Sequence, residues 1–122
     1  MAADGWDRDG PYERLVTPEF VITALVGDHW PDDQVDLTVE AGDGVPRYAT
    51  FFTLEAIRSI LDWYATSGEG LSGTYFWSEN PVFVRTLDRD SVEAVVRDLI
   101  RLGELSAAFA TEEPPDGEGE ER

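Results

Sequence analysis

Apolar side chains recur along this chain at two spacings, and each change of spacing marks a change of element. Val35, Leu37 and Val39 alternate with Asp36, Thr38 and Glu40, the pattern of a strand with one buried and one wet face. Residues 19–26 form a nearly continuous apolar run, which predicts a more deeply buried strand. Gly-Asp-His-Trp-Pro-Asp-Asp at 27–33 is the loop between them. Ala-Gly-Asp-Gly-Val-Pro at 41–46 makes the turn into a third strand over 47–52. The spacing then lengthens: Ile57, Ile60, Leu61 and Tyr64 predict a helix over 54–66, capped by Thr53 and stopped by Gly68.

The best-formed pattern runs over 71–109. Thr74-Tyr75-Phe76-Trp77 and Val82-Phe83-Val84-Arg85 are aromatic and β-branched and flank Ser-Glu-Asn-Pro, which predicts a hairpin. Pairing Trp77 with Val82 puts Tyr75 opposite Val84 on one face and Phe76 opposite Phe83 on the other. Tyr75, Trp77, Val82 and Val84 carry the larger aromatic area and are expected beneath the helices. Phe76 and Phe83 then face outward with Thr74 and Arg85. A second helix follows, with Asp90 as N-cap and Glu93 three residues later. Val92, Val95, Val96, Leu99 and Leu102 form its stripe, and Gly103 its left-handed stop. Residues 105–109 read as a short edge strand, with a helical turn as the alternative.

The order β-β-β-α-β-β-α-(β) belongs to the α+β class. It predicts two layers, a mainly antiparallel sheet of five or six strands with both amphipathic helices on one face. Strands and helices do not alternate singly, which argues against a parallel doubly wound sheet. This single domain occupies residues 19–110. Residues 1–18, with Gly5, Gly10, Pro11 and Pro18 among alternating charges, read as an irregular arm that Trp6 and Tyr12 would have to pin down. Residues 111–122 read as a disordered acidic tail.

Composition narrows the functional classes. A chain of 122 residues, 42% hydrophobic, holds one core. It has no cysteine, hence no disulfide framework, thiolate metal site or cysteine nucleophile. Neither a signal-peptide pattern nor a membrane-spanning apolar run is visible, so a cytoplasmic protein with no membrane partner is expected. The 26 acids and 9 bases, all of the latter arginine, give a net charge of −17. It divides as −2 over 1–18, −10 over 19–110 and −5 over 111–122, so the acidity belongs mainly to the folded part. GC-rich codon usage or a high-salt cytoplasm accounts for such a composition, as does an acidic binding surface. Direct nucleic-acid binding is opposed by the phosphate field.

Motifs add little chemistry. Gly-Glu-Gly-Leu-Ser-Gly at 68–73 spells GxGxxG, but a phosphate cradle needs a strand before it and a helix after it, and here the order is reversed. No cofactor is therefore expected. Asp7-Arg-Asp-Gly10 resembles the start of a calcium loop but has Gly5 and Val16 where that loop requires acids. His29, the single histidine, lies among Asp28, Asp32 and Asp33. An imidazole beside carboxylates is the chemistry of a general base or half a metal site, although a solvent-facing loop histidine is the plainer reading. The serines lie in no nucleophile motif, and no catalytic constellation can be named.

The aromatic residues remain. Strand aromatics on both faces cannot all lie under one helical layer, so the core and the N-terminal arm must cover the rest; the alternative is that Tyr48, Phe52, Phe76 and Phe83, with Arg85, form an interaction surface. The resulting functional expectation is a non-catalytic, acidic interaction module of inhibitor, immunity or adaptor type. Its partner would be another protein, basic by charge complementarity, or a second copy of itself. A nucleic-acid mimic that blocks a DNA- or RNA-binding protein is the alternative, followed by a small ligand binder or enzyme. If solvation is what makes −17 tolerable, the Tm should fall at low ionic strength and recover as salt screens the repulsion. A midpoint flat from low to molar salt would instead assign the acidity to a dedicated binding surface.

Overall fold

Alternation drives the N-terminal half into a meander. The computed structural model describes residues 5–111. In it, β1 (Trp6–Asp9), β2 (Tyr12–Val16), β3 (Val21–Leu25), β4 (Gln34–Glu40) and β5 (Pro46–Thr53) pair antiparallel in sequence order. The fold is α+β, with a mainly antiparallel sheet, and β3, β4 and β5 are the strands the periodicity predicts.

The first two strands correct the expected irregular arm. Gly10 and Pro11 form a two-residue hairpin loop, and Gly10 takes a φ of +61°, as the first central residue of a type II′ turn requires. Trp6 and its register partner Leu15 are both buried, so the hairpin extends the core face of the sheet. Tyr12, at the turn, stays exposed.

β5 directs the rest of the packing, because successive side chains on a strand point to opposite faces. Phe51 joins Ile22, Leu37 and Val39 in the core and meets Phe109 edge-on at 6.0 Å. Helix α3 (Arg89–Leu102) covers that face with Val92 and Val96 fully buried. Phe52 points the other way, into a cleft lined by Ala56, Ile60 and Tyr64 of helix α1 (Leu54–Ser67). The two long helices therefore do not share a face, and the expected one-sided packing does not hold.

The predicted hairpin over 74–85 is also replaced. Only its second half is a strand, β6 (Pro81–Val84), and it pairs in parallel with β5 in the register Phe51↔Val82, Thr53↔Val84. The open edge of β5 at Thr50–Thr53 offers hydrogen bonds beside the buried Phe51 and Phe52, and this non-local pairing wins over the local one. Val84 is buried and Phe83 exposed, as expected, but Tyr75 and Trp77 face solvent while Phe76 is half-buried.

The displacement begins at Glu69–Gly73 (α2), a left-handed turn. Gly70, Leu71 and Ser72 all have φ between 52° and 57°. Such backbone is disfavoured by about 1–2 kcal/mol per non-glycine residue. It persists because Thr74 and Tyr75 N–H groups donate to the Gly70 carbonyl, at 2.8 and 3.2 Å, and the turn packs closely on α1.

The later elements follow their caps. The N-cap of α3 is Asp88, not Asp90: its carboxylate accepts from Ser91 N–H at 2.7 Å, a bond that holds it below its ordinary pKa. Leu87, just before the cap, joins Val92 in the core as a hydrophobic staple, which favours the earlier start. Leu102, placed in the stripe, is half exposed. Gly103 closes the helix in the left-handed conformation. Residues 105–109 are mostly helical rather than extended, as α4 (Leu105–Ala108), and a two-residue strand β7 (Ala110–Thr111) then pairs with the first half of β5. The tail predicted for 111–122 lies outside the described residues beyond Thr111. No described helix is long and apolar enough to cross a membrane.

Gly68 and Gly70 separate conformation from packing. Both have positive φ, but a Cβ at Gly68 meets nothing within 4 Å, whereas one at Gly70 would lie 2.0 Å from the Tyr75 carbonyl oxygen. Gly68→Ala should destabilise by about 1 kcal/mol and Gly70→Ala by clearly more. Equal urea midpoints for the two variants would show that α2 does not pack on α1 as described.

Candidate functional site

The largest exposed aromatic area lies where α1, α2 and residues 74–78 meet. Phe76 anchors it: its ring lies 5.7 Å from Phe52 and 6.4 Å from Tyr64, both edge-on. With Phe76 held against the sheet, its neighbours Tyr75 and Trp77 are turned outward, and Trp77 is 76% exposed. Trp63, on α1, is 64% exposed. A depression of about 410 Å³ runs between Trp63 and Trp77 over Phe52, with Asp33 on its wall. A second, of about 320 Å³, is bounded by Tyr75, Gly70 and Glu69, and shares Tyr64, Phe76 and Trp77 with the first. Both are shallow, aromatic and flanked by a carboxylate.

The side chains forecast as an interaction surface are distributed differently. Phe52 is buried beneath Phe76, and those two belong to this site. Phe83 and Arg85 border a separate depression beside Leu54. Tyr48 lies on the polar face of the sheet, where its hydroxyl donates to Glu79 at 2.9 Å. That face is lined by Thr23, Asp36, Thr38 and Thr50, the ordinary wet side of an antiparallel sheet. Trp63 and Trp77 were missed as surface residues. For Trp63 the sequence did hold a signal: it belongs neither to the apolar stripe of its helix nor to the polar side.

The loop at 27–33 carries the other candidate side chains. Asp28, His29, Asp32 and Asp33 are all exposed. The Asp28 carbonyl accepts from Arg8 at 3.1 Å, and the Asp33 carbonyl accepts from Thr53 N–H at 2.9 Å, so this loop acts structurally. Among the described residues no cluster of histidine, cysteine or acid is placed to hold a metal ion.

No family model, curated protein or solved structure matches the chain.

One charged constellation remains. Glu13, on β2, is buried, and Arg89 grips it with two bonds, Nε to Oε1 at 2.7 Å and an Nη to Oε2 at 2.8 Å. Arg8 approaches Oε2 at 3.4 Å and also binds the Gly27 and Asp28 carbonyls. Arg89 lies 4.9 Å from the ring centre of Trp30, whose N–H donates to the Leu87 carbonyl and whose ring meets Trp6 edge-on at 5.3 Å. The clamp ties the N-terminal hairpin and the 27–33 loop to the start of α3. Its carboxylate is occupied by arginines on both oxygens, so its role is to hold the fold rather than to move a proton.

The hydrogen bond from Arg89 holds the Glu13 carboxyl below its ordinary pKa, against the upward push of burial and with further help from the charges of Arg89 and Arg8. A depressed folded pKa contributes stability above the ordinary carboxylate range that is lost as pH falls through the folded value. Glu13→Gln should therefore lower stability at neutral pH by about 2–3 kcal/mol, less than for a fully buried pair because Arg89 keeps 31% exposure. The gap from wild type should narrow in acid. Urea melts across pH test this, and a gap of constant size would show that the pair contributes nothing electrostatic.

Proposed function

We propose that this protein is a non-catalytic interaction module that captures a basic protein partner through the aromatic surface of Trp63, Tyr75 and Trp77. The observation that carries this reading is the exposure of two tryptophans on a framework that is otherwise well packed. Exposed tryptophan and tyrosine clusters are where binding energy concentrates at protein interfaces, because they bury large area at small entropic cost. The surface is also anchored: Phe76 lies between Phe52 and Tyr64, and the left-handed turn at Gly70–Ser72 braces it from behind. Pre-ordering of this kind reduces the entropy lost on binding.

Charge points to the sign of the partner. A surface with a net charge of −17 speeds encounter with a basic protein and opposes association with a second copy of itself. An inhibitor, immunity or adaptor role fits such a module.

This reading predicts a separation of stability from binding. Trp63→Ala and Trp77→Ala should change stability by no more than about 0.5 kcal/mol, as exposed substitutions do. Phe52→Ala, beneath them, should lose about 3–5 kcal/mol. Chemical denaturation of the three variants checks this; severe destabilisation by Trp77→Ala would make that side chain part of the core and remove the proposed surface.

A further inference from the structure

The two aromatic depressions share a dividing wall, and this arrangement narrows the form of the partner. Tyr64, Phe76 and Trp77 line both hollows, Trp63 lines only the first, and Tyr75 only the second. Adjoining shallow slots between aromatic ridges suit a ligand whose side chains are compact and repeat at short, regular intervals. A polyproline II segment has that shape: three residues per turn, about 3.1 Å rise per residue, and backbone that needs no internal hydrogen bonds. It docks in aromatic-lined grooves with little ordering entropy left to lose. An amphipathic helix, by contrast, calls for one continuous apolar trough.

Charge supplies the second constraint. Asp33 lines the first hollow and Glu69 the second, and both are exposed. A cationic side chain beside the prolines would meet a carboxylate and an open indole face together. The molecule already places guanidinium groups over aromatic rings, Arg89 over Trp30 and Arg97 over Phe20, each at 4.9 Å.

We infer that the ligand of this surface is an extended, proline-rich segment bearing arginine or lysine, with prolines seated in the two hollows and a cation at Asp33 or Glu69. This inference rests on the proposed interaction role and specifies its partner. The test is selection from a displayed library of random peptides about ten residues long on the full-length protein. Trp63→Ala/Trp77→Ala serves as the parallel bait, after its Tm has been shown to match wild type. The expected result is enrichment of sequences with prolines at three-residue spacing and flanking arginine or lysine. Synthetic copies of these should bind at least ten-fold more weakly to Trp77→Ala, and a few-fold more weakly to Asp33→Asn or Glu69→Gln. Enrichment that depends on the tryptophans but yields proline-free helical patterns would overturn the ligand class and leave the interaction role standing. Equal selection on both baits would overturn the tryptophan surface as the binding site, and no selection on either would overturn the linear proline-rich ligand.

Discussion

Two adjacent phenylalanines on one strand set the organisation of this molecule. Phe51 and Phe52 must point to opposite faces of β5, and both are fully enough buried to contribute roughly 1.5–3 kcal/mol each. Phe51 needs the cover that α3 and Phe109 provide, while Phe52 needs the cover of α1 and Phe76. One sheet therefore acquires helices on both sides. The Phe51 side closes into a continuous core. On the Phe52 side the cover is partial, because α1 buries only Ala56 completely. What α1 leaves open is filled from the next layer by Phe76, and that placement turns Tyr75 and Trp77 to solvent. The candidate site is thus a consequence of how the second face was covered.

Arginine makes this possible in so acidic a chain. Lysine is absent; Arg47 and Arg89 each grip a carboxylate with a fork, and Arg89 and Arg97 also lie over aromatic rings. Arg47 binds Asp43, Arg97 binds Glu93 and lies over Phe20, and Arg101 binds Asp98, all between near neighbours in sequence except the ring contact. These exposed pairs contribute little individually. Two pairs are long-range: Arg97 also reaches Glu19 at 3.6 Å, an exposed contact, and Arg89 grips Glu13, which joins positions 76 residues apart and draws the first hairpin onto α3. The other described acids stay partly or fully exposed, where they set the sign of what can approach.

How much of this was legible depended on whether a local signal competed with a distant one. β4 and α1 were clear, since Val35, Leu37 and Val39, and the Thr53 and Gly68 caps, act within their own segments. The hairpin β1–β2 was hidden because Gly10-Pro11 looked like disorder, although glycine as first central residue of a two-residue loop is a hairpin signal. The aromatic run at Thr74–Trp77 has strand composition, yet glycines at 70 and 73 allow a left-handed turn that carries it over α1 instead. With β6 paired to β5, that run does not add to the free edge of β6, and its side chains sort by what lies beneath them. Composition alone could not show which aromatic residue would face water. The expected surface at Phe83, Arg85 and Tyr48 consequently fell apart, while Phe76 and Phe52 became the base of a different one.

Residues 74–78 leave the sheet and hold Trp77 outward beside Trp63. Fluorine NMR of protein labelled with 5-fluorotryptophan tests this placement directly, with each of the four resonances assigned by single Trp→Phe substitution. The resonances of Trp63 and Trp77 should shift on exchanging water for deuterium oxide, and that of Trp6, buried in the core, should not. Each of the two exposed residues should also give one narrow line, as a pre-ordered surface requires. A Trp77 resonance with no solvent isotope shift would contradict the account, because it would return that side chain to the covered hairpin its sequence suggested.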